Sequence, residues 1–156
     1  PHATRLFGPC ADKPSGSLTF NVAKIDIGPT EQIAVDCRLP VTVAKETIVT
    51  KLAAAAGRYG LTYREVDWLR PLYLPQDHLL IKTLLRVYSL ISGDLISDPI
   101  TIGGATYARA IDNCVAFGAL FPDEPRTEHQ PNERVALRNL YKAMEIYAQA
   151  IYELTR

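Results

Sequence analysis

Two strand-like segments joined by a short turn constrain the fold of this chain more than any other feature of its sequence. From Leu18 to Ile27, apolar and polar residues alternate, a pattern typical of a strand with one solvated face. Gly28 to Glu31 has the composition of a turn, and residues 32–39 form a second strand-like segment. Pro40 ends that segment, because proline cannot donate to a strand ladder. The two segments therefore predict an antiparallel hairpin.

The hairpin is followed by a helical pattern and then by a further strand-like segment. Residues 44–57 carry an apolar stripe at helical spacing and end at a glycine, and residues 61–72 are typical of a third long strand. The predicted order is therefore strand, strand, helix, strand. The pattern changes at Pro75, so we predict two domains, residues 1–75 and residues 76–156.

The second part of the chain is predicted to be mainly helical. Asp77 is the predicted N-cap of a helix running to about residue 92, and Asn132 is the predicted N-cap of a last helix over residues 133–154. Between them lie a short apolar strand at residues 100–102 and an apolar segment at residues 114–117. The predicted fold class is α/β, with an α+β first domain.

Charge and composition argue against two classes of partner. The 17 basic and 17 acidic side chains cancel, so the chain has no global field with which to hold nucleic acid or an anionic membrane. No apolar run approaches the about 20 residues that span a bilayer. We therefore expect neither a nucleic acid nor a membrane as partner.

The three cysteines favour a reducing compartment. Cys10, Cys37 and Cys114 are odd in number and far apart, and the sequence contains no Cys-Xaa-Xaa-Cys pair for a zinc knuckle or a thioredoxin motif. We expect these thiols to act as small hydrophobic side chains and the protein to be cytoplasmic.

A glycine pair follows residues 100–102. Gly103 and Gly104 let a ligand approach the backbone closely, their amides are candidates for binding an anion, and Thr106 would add a hydroxyl. A tight turn between a strand and a helix explains the same residues equally well. The pair is not a P-loop, because no Gly-Lys-Ser or Gly-Lys-Thr follows it.

Two further side chains are candidates for chemistry. His129 stands in a polar loop, where it would hold a metal or a substrate, although a lone histidine is more often a surface residue. Besides it the chain offers only His2 and His78, and a zinc site needs three or four protein ligands. Arg38 ends the second strand and would clamp a carboxylate; the alternative is a surface arginine paired with Asp36.

The order of short motifs along the chain is specific. Gly-Gly-Ala-Thr begins at residue 103, Ala-Phe-Gly at 116, Phe-Pro at 121 and His-Gln-Pro-Asn-Glu at 129, and a closing helix follows. Upstream, Val-Asp-Cys-Arg-Leu-Pro-Val begins at residue 35. From about residue 18 to its end, the chain resembles the C-terminal part of PepV-type dipeptidases, which group with carnosinases, aminoacylases and succinyl-diaminopimelate desuccinylases.

This resemblance implies a fold of two lobes. In that family a catalytic α/β domain is interrupted by a lid domain with a ferredoxin-like plan. Residues 1–75 would then be the end of the lid, and residues 76–156 the last stretch of the zinc-peptidase catalytic domain.

The resemblance also implies a function and roles for single residues. The whole enzyme would hydrolyse dipeptides or short N-acyl amino acids, with two zinc ions that activate a bridging water. His129 would ligate one zinc ion and Arg38 would bind the C-terminal carboxylate of the substrate. The amides of Gly103 and Gly104, with Thr106, would help to hold the same carboxylate.

Two departures from the family pattern limit what this chain would do alone. Ala105 stands where a third glycine is common. The family's other zinc ligands, its general-base glutamate and its lid histidine have no counterpart here. We therefore expect no catalytic residue in this chain, a need for the missing N-terminal part of the same protein, and no activity in isolation.

A non-catalytic binding or assembly module is the competing interpretation. In that case the glycine pair binds an anion, Arg38 is structural and His129 is an exposed surface residue. A related possibility is that exposed strand edges mainly form a homodimer.

Overall fold

The computed structural model describes residues 3–118 and 120–156. The chain divides into two compact units. The first contains the chain up to Tyr73 together with Thr101–Gly104, and the second contains Leu74–Ile100 with Ala105–Arg156. The assignment of these units to a lid and a catalytic domain stays a prediction.

The first unit is built around the hairpin that the sequence predicts. Strands β3 (Thr19–Asp26) and β4 (Gln32–Arg38) pair antiparallel, with Thr19 opposite Arg38 and Asp26 opposite Gln32. The register shifts between Val22 and Lys24, which marks a β-bulge. The elements of this unit are α1 (Thr4–Phe7), β1 (Ala11–Asp12), β2 (Gly16–Ser17), β3 (Thr19–Asp26), β4 (Gln32–Arg38) and α2 (Lys45–Gly57).

Helix α2 covers one end of the hairpin. Phe7, Leu18 and Ile48 are the buried centre of this small core, and the Phe7 and Phe20 rings lie 5.6 Å apart between centroids. Farther along the hairpin, large apolar side chains stay exposed. These are Val22, Ile25, Ile27, Ile33 and Val35.

Asp12 ties the small β1–β2 hairpin to the turn that leads into α2. One carboxylate oxygen accepts hydrogen bonds from the backbone N–H and the hydroxyl of Ser15, both at 2.7 Å. The other accepts from the backbone N–H of Thr42 at 2.9 Å and from its hydroxyl at 3.0 Å. Burial alone would raise the pKa of Asp12, but these hydrogen bonds outweigh it and lower the pKa to about 2.

The α/β class is confirmed, but the predicted third strand over residues 61–72 does not form. In the part of the chain that the structure describes, β3 and β4 pair only with each other, so this segment has no ladder to join. Side-chain contacts attach it to the start of α2 instead. Lys45 Nζ lies 2.7 Å from Glu65 Oε1 and 4.8 Å from the centroid of the Trp68 ring.

The second unit is a helical pair with irregular connections. It contains α3 (Leu79–Ser92), a 3₁₀ turn (Tyr107–Ala110) and α4 (Leu137–Thr155). An ion pair of 2.7 Å between Arg86 and Glu153 links α3 to α4. No helix within residues 3–118 and 120–156 is both long and apolar enough to cross a bilayer. The buried core consists of Leu84, Val87, Phe121, Ala143, Ile146 and Ala150.

Two N-cap predictions in this unit are wrong. Helix α3 is capped by His78 and not by Asp77, because His78 Nδ1 accepts a hydrogen bond from the Leu80 N–H at 3.2 Å. Helix α4 begins at Leu137, after Ala136, and Asn132 does not cap it because its φ of 63° places it in a left-handed turn.

The short strand predicted at residues 100–102 does not form, and this segment has no regular secondary structure. Such a short segment becomes a strand only where a neighbouring strand pairs with it. The segment at 114–117 also has no regular structure.

Candidate functional site

Arg38 is the last residue of β4, as the sequence predicts. Its side chain is 56% exposed, and its Nε lies 3.5 Å from Oδ2 of Asp36, two residues earlier on the same face of the strand. The ion pair considered from the sequence is therefore present. Because both side chains are exposed, it is weak and leaves the guanidinium accessible to a further anion.

The structure brings Gly103 to Arg38 within the first unit. A methyl group built on the Gly103 Cα would overlap the Nη1 atom of Arg38 and would lie 2.9 Å from its Cζ. The hydroxyl of Thr101 donates a hydrogen bond of 2.9 Å to the carbonyl oxygen of Pro14, which attaches the glycine segment to this unit. The guanidinium therefore lies against the backbone at a position where the sequence has no side chain.

Gly104 belongs to the same short segment but stands in open space. No heavy atom outside its immediate neighbours lies within 4 Å of a methyl group built there. Neither Gly103 nor Gly104 has a left-handed φ, so the pair lacks the alternation of right- and left-handed residues that forms one kind of anion-binding nest. A role for these amides in binding a substrate stays a prediction.

Thr106 belongs to the second unit. It precedes the 3₁₀ turn, its carbonyl oxygen accepts a hydrogen bond from the Arg109 N–H at 3.2 Å, and its hydroxyl caps nothing. The side chain is exposed. The structure therefore does not place Thr106 with Arg38 and Gly103 in one unit, and its role in substrate binding stays a prediction.

His129 lies at an exposed turn with a φ of 63°. Its backbone N–H donates a hydrogen bond to Oε2 of Glu133 at 3.2 Å. The Thr127 hydroxyl stabilises the loop, because it donates to the Arg134 carbonyl oxygen and accepts from the Arg134 N–H, both at 3.3 Å. The imidazole is carried by a hydrogen-bonded loop, as the polar sequence of this segment predicts, and α4 begins only at Leu137.

The metal-binding side chains that the structure describes do not form a zinc site by themselves. Within residues 3–118 and 120–156, no group of three or more His, Cys, Asp or Glu side chains is placed to hold a metal ion. His78 accepts a hydrogen bond through its Nδ1 as a helix cap, and His2 lies outside the described residues. A zinc ion at His129 would need ligands from elsewhere.

The cysteines have the character expected of packing residues. Cys10 and Cys37 pack against the core of the first unit, and all three thiols are free. Burial, and then the nearby Asp36 carboxylate, raise the pKa of Cys37 to about 11. This thiol is therefore neutral near pH 7 and is a poor nucleophile. The cytoplasmic location stays a prediction.

Sequence reasoning missed two residues that organise the candidate site. Thr101 attaches the glycine segment to the first unit, and Asp12 holds the chain near Thr42, just after the end of β4. For Asp12 the sequence did carry a signal, since Asp-Lys-Pro-Ser-Gly, beginning at residue 12, has the composition of a turn in which an aspartate side chain bonds the nearby backbone. For Thr101 it carried none, because the bond joins residues 87 positions apart.

The chain is similar to curated proteins that are named as dipeptidases. It is 38% identical over 149 residues to "Putative dipeptidase YtjP" of Bacillus subtilis (strain 168), covering 94% of this chain and 31% of that protein. It is 33% identical over 141 residues to "Putative dipeptidase" of Staphylococcus epidermidis, and 32% to "Putative dipeptidase SH1171" of Staphylococcus haemolyticus. These two alignments each cover 89% of this chain and 30% of the relative.

These alignments cover a much larger share of this chain than of the relatives. Nearly all of this chain is aligned, yet the chain spans only about 30% of the length of the curated relatives it matches. No protein-family model matches the chain. The similarity therefore links this chain to one part of larger proteins.

Proposed function

We propose that this chain is part of a zinc-dependent dipeptidase and supplies the residues that bind the free carboxylate of the substrate. The observation that carries the carboxylate-binding role is the accessible Arg38 guanidinium, held at the end of β4 against Gly103. The likeness to proteins named as dipeptidases, over 94% of the chain, supports the reaction class.

Arginine suits this task because its planar guanidinium can donate two parallel hydrogen bonds to one carboxylate. The Nε atom of Arg38 faces Asp36 and the Nη1 atom lies beside Gly103, so the substrate carboxylate would approach the exposed remainder of the guanidinium, which includes Nη2. A dipeptide ends in a carboxylate at a fixed distance from its single peptide bond. Binding that terminus therefore sets the position of the bond to be cleaved and excludes longer chains in the wrong register.

His129 is the residue of this chain that we propose as a ligand to one of two zinc ions. Its imidazole is exposed and its loop is braced by Thr127, so the ring is available at a defined place. The described donors lack the further ligands of a zinc site, which the rest of the protein would have to supply. When bound, zinc would supply Lewis-acid activation of water and of the scissile carbonyl.

The preferred test compares free and amidated dipeptides in the full-length protein that contains this chain. Arg38→Ala is expected to lower kcat/KM for free dipeptides by roughly ten- to a hundredfold, because a charge-assisted hydrogen bond is worth about 1.5–3 kcal/mol. The C-terminally amidated dipeptides lack that charge and should lose far less. Steady-state kinetics on both substrates measures the difference.

Arg58→Ala is the matched control for this test. Arg58 follows the last residue of α2 and is exposed, so its loss removes one positive charge from the same unit without touching the candidate site. It should leave the preference for free dipeptides unchanged. Equal losses on free and amidated substrates in Arg38→Ala would show that Arg38 does not recognise the carboxylate.

A non-catalytic module remains the second candidate, and one observation favours it. Residues 3–118 and 120–156 contain an exposed arginine beside a glycine segment but no cluster able to hold a metal ion. Such a module would bind a carboxylate or another anion without hydrolysis. A homodimer through the exposed edges of β3 and β4 is a prediction of the same class, and sedimentation of the purified chain tests it.

A further inference from the structure

Gly103 and Gly104 are neighbours in sequence but differ in their surroundings. A methyl group at Gly103 would meet three atoms of one side chain: it would overlap Nη1 of Arg38 and lie 2.9 Å from Cζ and 3.3 Å from Cδ. A methyl group at Gly104 would meet nothing within 4 Å. Only the first glycine is therefore constrained by a neighbouring group.

This constraint concerns space and not backbone conformation. Glycine is often required where φ is positive, but neither glycine of the pair has such a φ. Both backbones therefore tolerate alanine. What distinguishes Gly103 is the guanidinium that occupies the place of its missing side chain.

The guanidinium is bounded on two sides. Asp36 lies 3.5 Å from Nε, and the Gly103 backbone lies beside Nη1 and Cζ. The glycine segment is itself attached to the first unit, because Thr101 donates a hydrogen bond of 2.9 Å to the Pro14 carbonyl. A long side chain that is 56% exposed would otherwise sample many rotamers.

We infer that Gly103 is a positioning residue for Arg38: by lacking a side chain, it makes the space in which the guanidinium is presented to a carboxylate. The identity of the ligand as a substrate carboxylate rests on the proposed function, but the positioning of Arg38 does not. An alanine at residue 103 drives the flexible end of Arg38 out of this place, so its binding edge no longer points to the ligand.

The first test follows the Arg38 side chain itself in the 156-residue chain. The Arg38 Nε–H signal in a nitrogen–proton NMR spectrum is assigned by its loss in Arg38→Ala. Gly103→Ala is expected to shift this signal, and the matched variant Gly104→Ala is expected to leave it in place. An unchanged signal in Gly103→Ala, or equal shifts in both variants, would overturn the inference.

A double variant separates displacement of Arg38 from damage to the fold. Without the guanidinium, a methyl group at residue 103 has room, so Gly103→Ala should not change the melting temperature in the Arg38→Ala background. If Gly103→Ala lowers the melting temperature in the Arg38→Ala background as much as it does in the parent chain, the methyl group clashes with something other than Arg38. That result would also overturn the inference.

The second test measures selectivity in the full-length protein. Gly103→Ala should raise KM for free dipeptides by roughly ten- to a hundredfold, as expected for loss of a charge-assisted hydrogen bond, with a smaller effect on amidated dipeptides. It should add nothing further in the Arg38→Ala background. Gly57→Ala, at the open end of α2, is the control that should leave kinetics unchanged.

The two tests fail in different ways. If Arg38→Ala leaves the preference for free dipeptides intact, the proposed function fails, while the NMR signal still reports on positioning. If Arg38→Ala removes that preference but Gly103→Ala behaves like Gly57→Ala, the proposed function stands and the inference about Gly103 falls.

Discussion

At the scale of single residues, the two charged or metal-binding candidates are held in different ways. Arg38 is fixed by its neighbours, because Asp36 and Gly103 limit where its guanidinium can lie. His129 is fixed only through its backbone, which donates to Glu133 and adopts a left-handed conformation. Substitutions next to Arg38 should therefore change where its guanidinium lies. At His129, a substitution should mainly remove the proposed zinc-binding group.

His129→Ala in the full-length protein is expected to lower bound zinc and dipeptide hydrolysis together. The imidazole is exposed, so removing it should change stability by less than about 0.5 kcal/mol, apart from the cost of alanine in a left-handed conformation. His129→Gly removes that cost, since glycine accepts a φ of 63°. Zinc content, melting temperature and hydrolysis are measured on both variants.

The glycine variant shows whether His129 is a zinc ligand or an ordinary surface residue. For a ligand, His129→Gly loses zinc and activity while its melting temperature stays level or rises. For an ordinary surface histidine, both variants keep full zinc occupancy and near-normal hydrolysis. That second result would end the metal assignment.

At the scale of elements, the first unit depends on polar contacts as much as on its core. Its buried apolar centre is small, with Phe7, Leu18 and Ile48, and the far part of the hairpin is exposed. The Asp12 carboxylate accepts two hydrogen bonds of 2.7 Å from Ser15, between β1 and β2, and two of 2.9–3.0 Å from Thr42, beyond the end of β4. This carboxylate should therefore contribute measurably to stability.

Asp12→Asn is expected to destabilise the first unit by about 1.5–3 kcal/mol, because the charge is lost and the amide NH2 group cannot accept the hydrogen bonds made to one of the two carboxylate oxygens. Trp68 is the only tryptophan and lies in this unit, so its fluorescence follows the unfolding in urea. Asp26→Asn is the control, since the Asp26 carboxylate is 41% exposed and pairs with exposed Lys24. It should cost less than about 1 kcal/mol.

Protonation of the same carboxylate should lower the stability of the first unit at acid pH. The folded pKa of Asp12 is about 2, below the about 3.9 of an unfolded aspartate, so its stabilisation is present above about pH 4. That stabilisation is lost as the pH falls from about 4 towards about 2. The difference in stability between the parent chain and Asp12→Asn should shrink over this range, and a difference that is independent of pH would contradict the assignment.

The elements that were correctly predicted are those that local pattern specifies. Alternation and a turn identify β3 and β4, and helical spacing identifies α2, α3 and α4. The segment over residues 61–72 has the same composition as a strand, but pairing depends on a neighbour that no local pattern reveals. Asn132 failed as a cap because asparagine also favours left-handed turns, the conformation it adopts here.

The candidate site also has one part that the sequence predicts and one part that it does not. Arg38 at a strand end and His129 in a polar loop are readable from sequence, as are the glycines. The approach of Arg38 to Gly103 cannot be predicted from the sequence, because the two residues are 65 positions apart and nothing in either segment specifies the partner. Long-range contacts of this kind are what the structure adds.

At the scale of the whole molecule, the chain has two units and two kinds of candidate residue. Arg38 and Gly103 belong to the first unit, and His129 and Thr106 belong to the second. The relatives that the chain matches are about three times as long as the matched part. On the proposed function, the chain would therefore contribute carboxylate recognition and one metal ligand to a larger enzyme.

This division of labour predicts that the purified 156-residue chain neither retains stoichiometric zinc nor hydrolyses dipeptides. A zinc site needs three or four protein ligands, and the described residues hold no cluster of three candidate donors around His129 or elsewhere. Zinc is measured by mass spectrometry after dialysis against metal-free buffer, and hydrolysis of a free dipeptide is followed with and without added zinc. His129→Ala is the control, because residual zinc bound non-specifically should be equal in both proteins. Tight zinc at one or two ions per chain that disappears in His129→Ala, together with hydrolysis, would mean that this chain builds an active site of its own and that the proposed division is wrong.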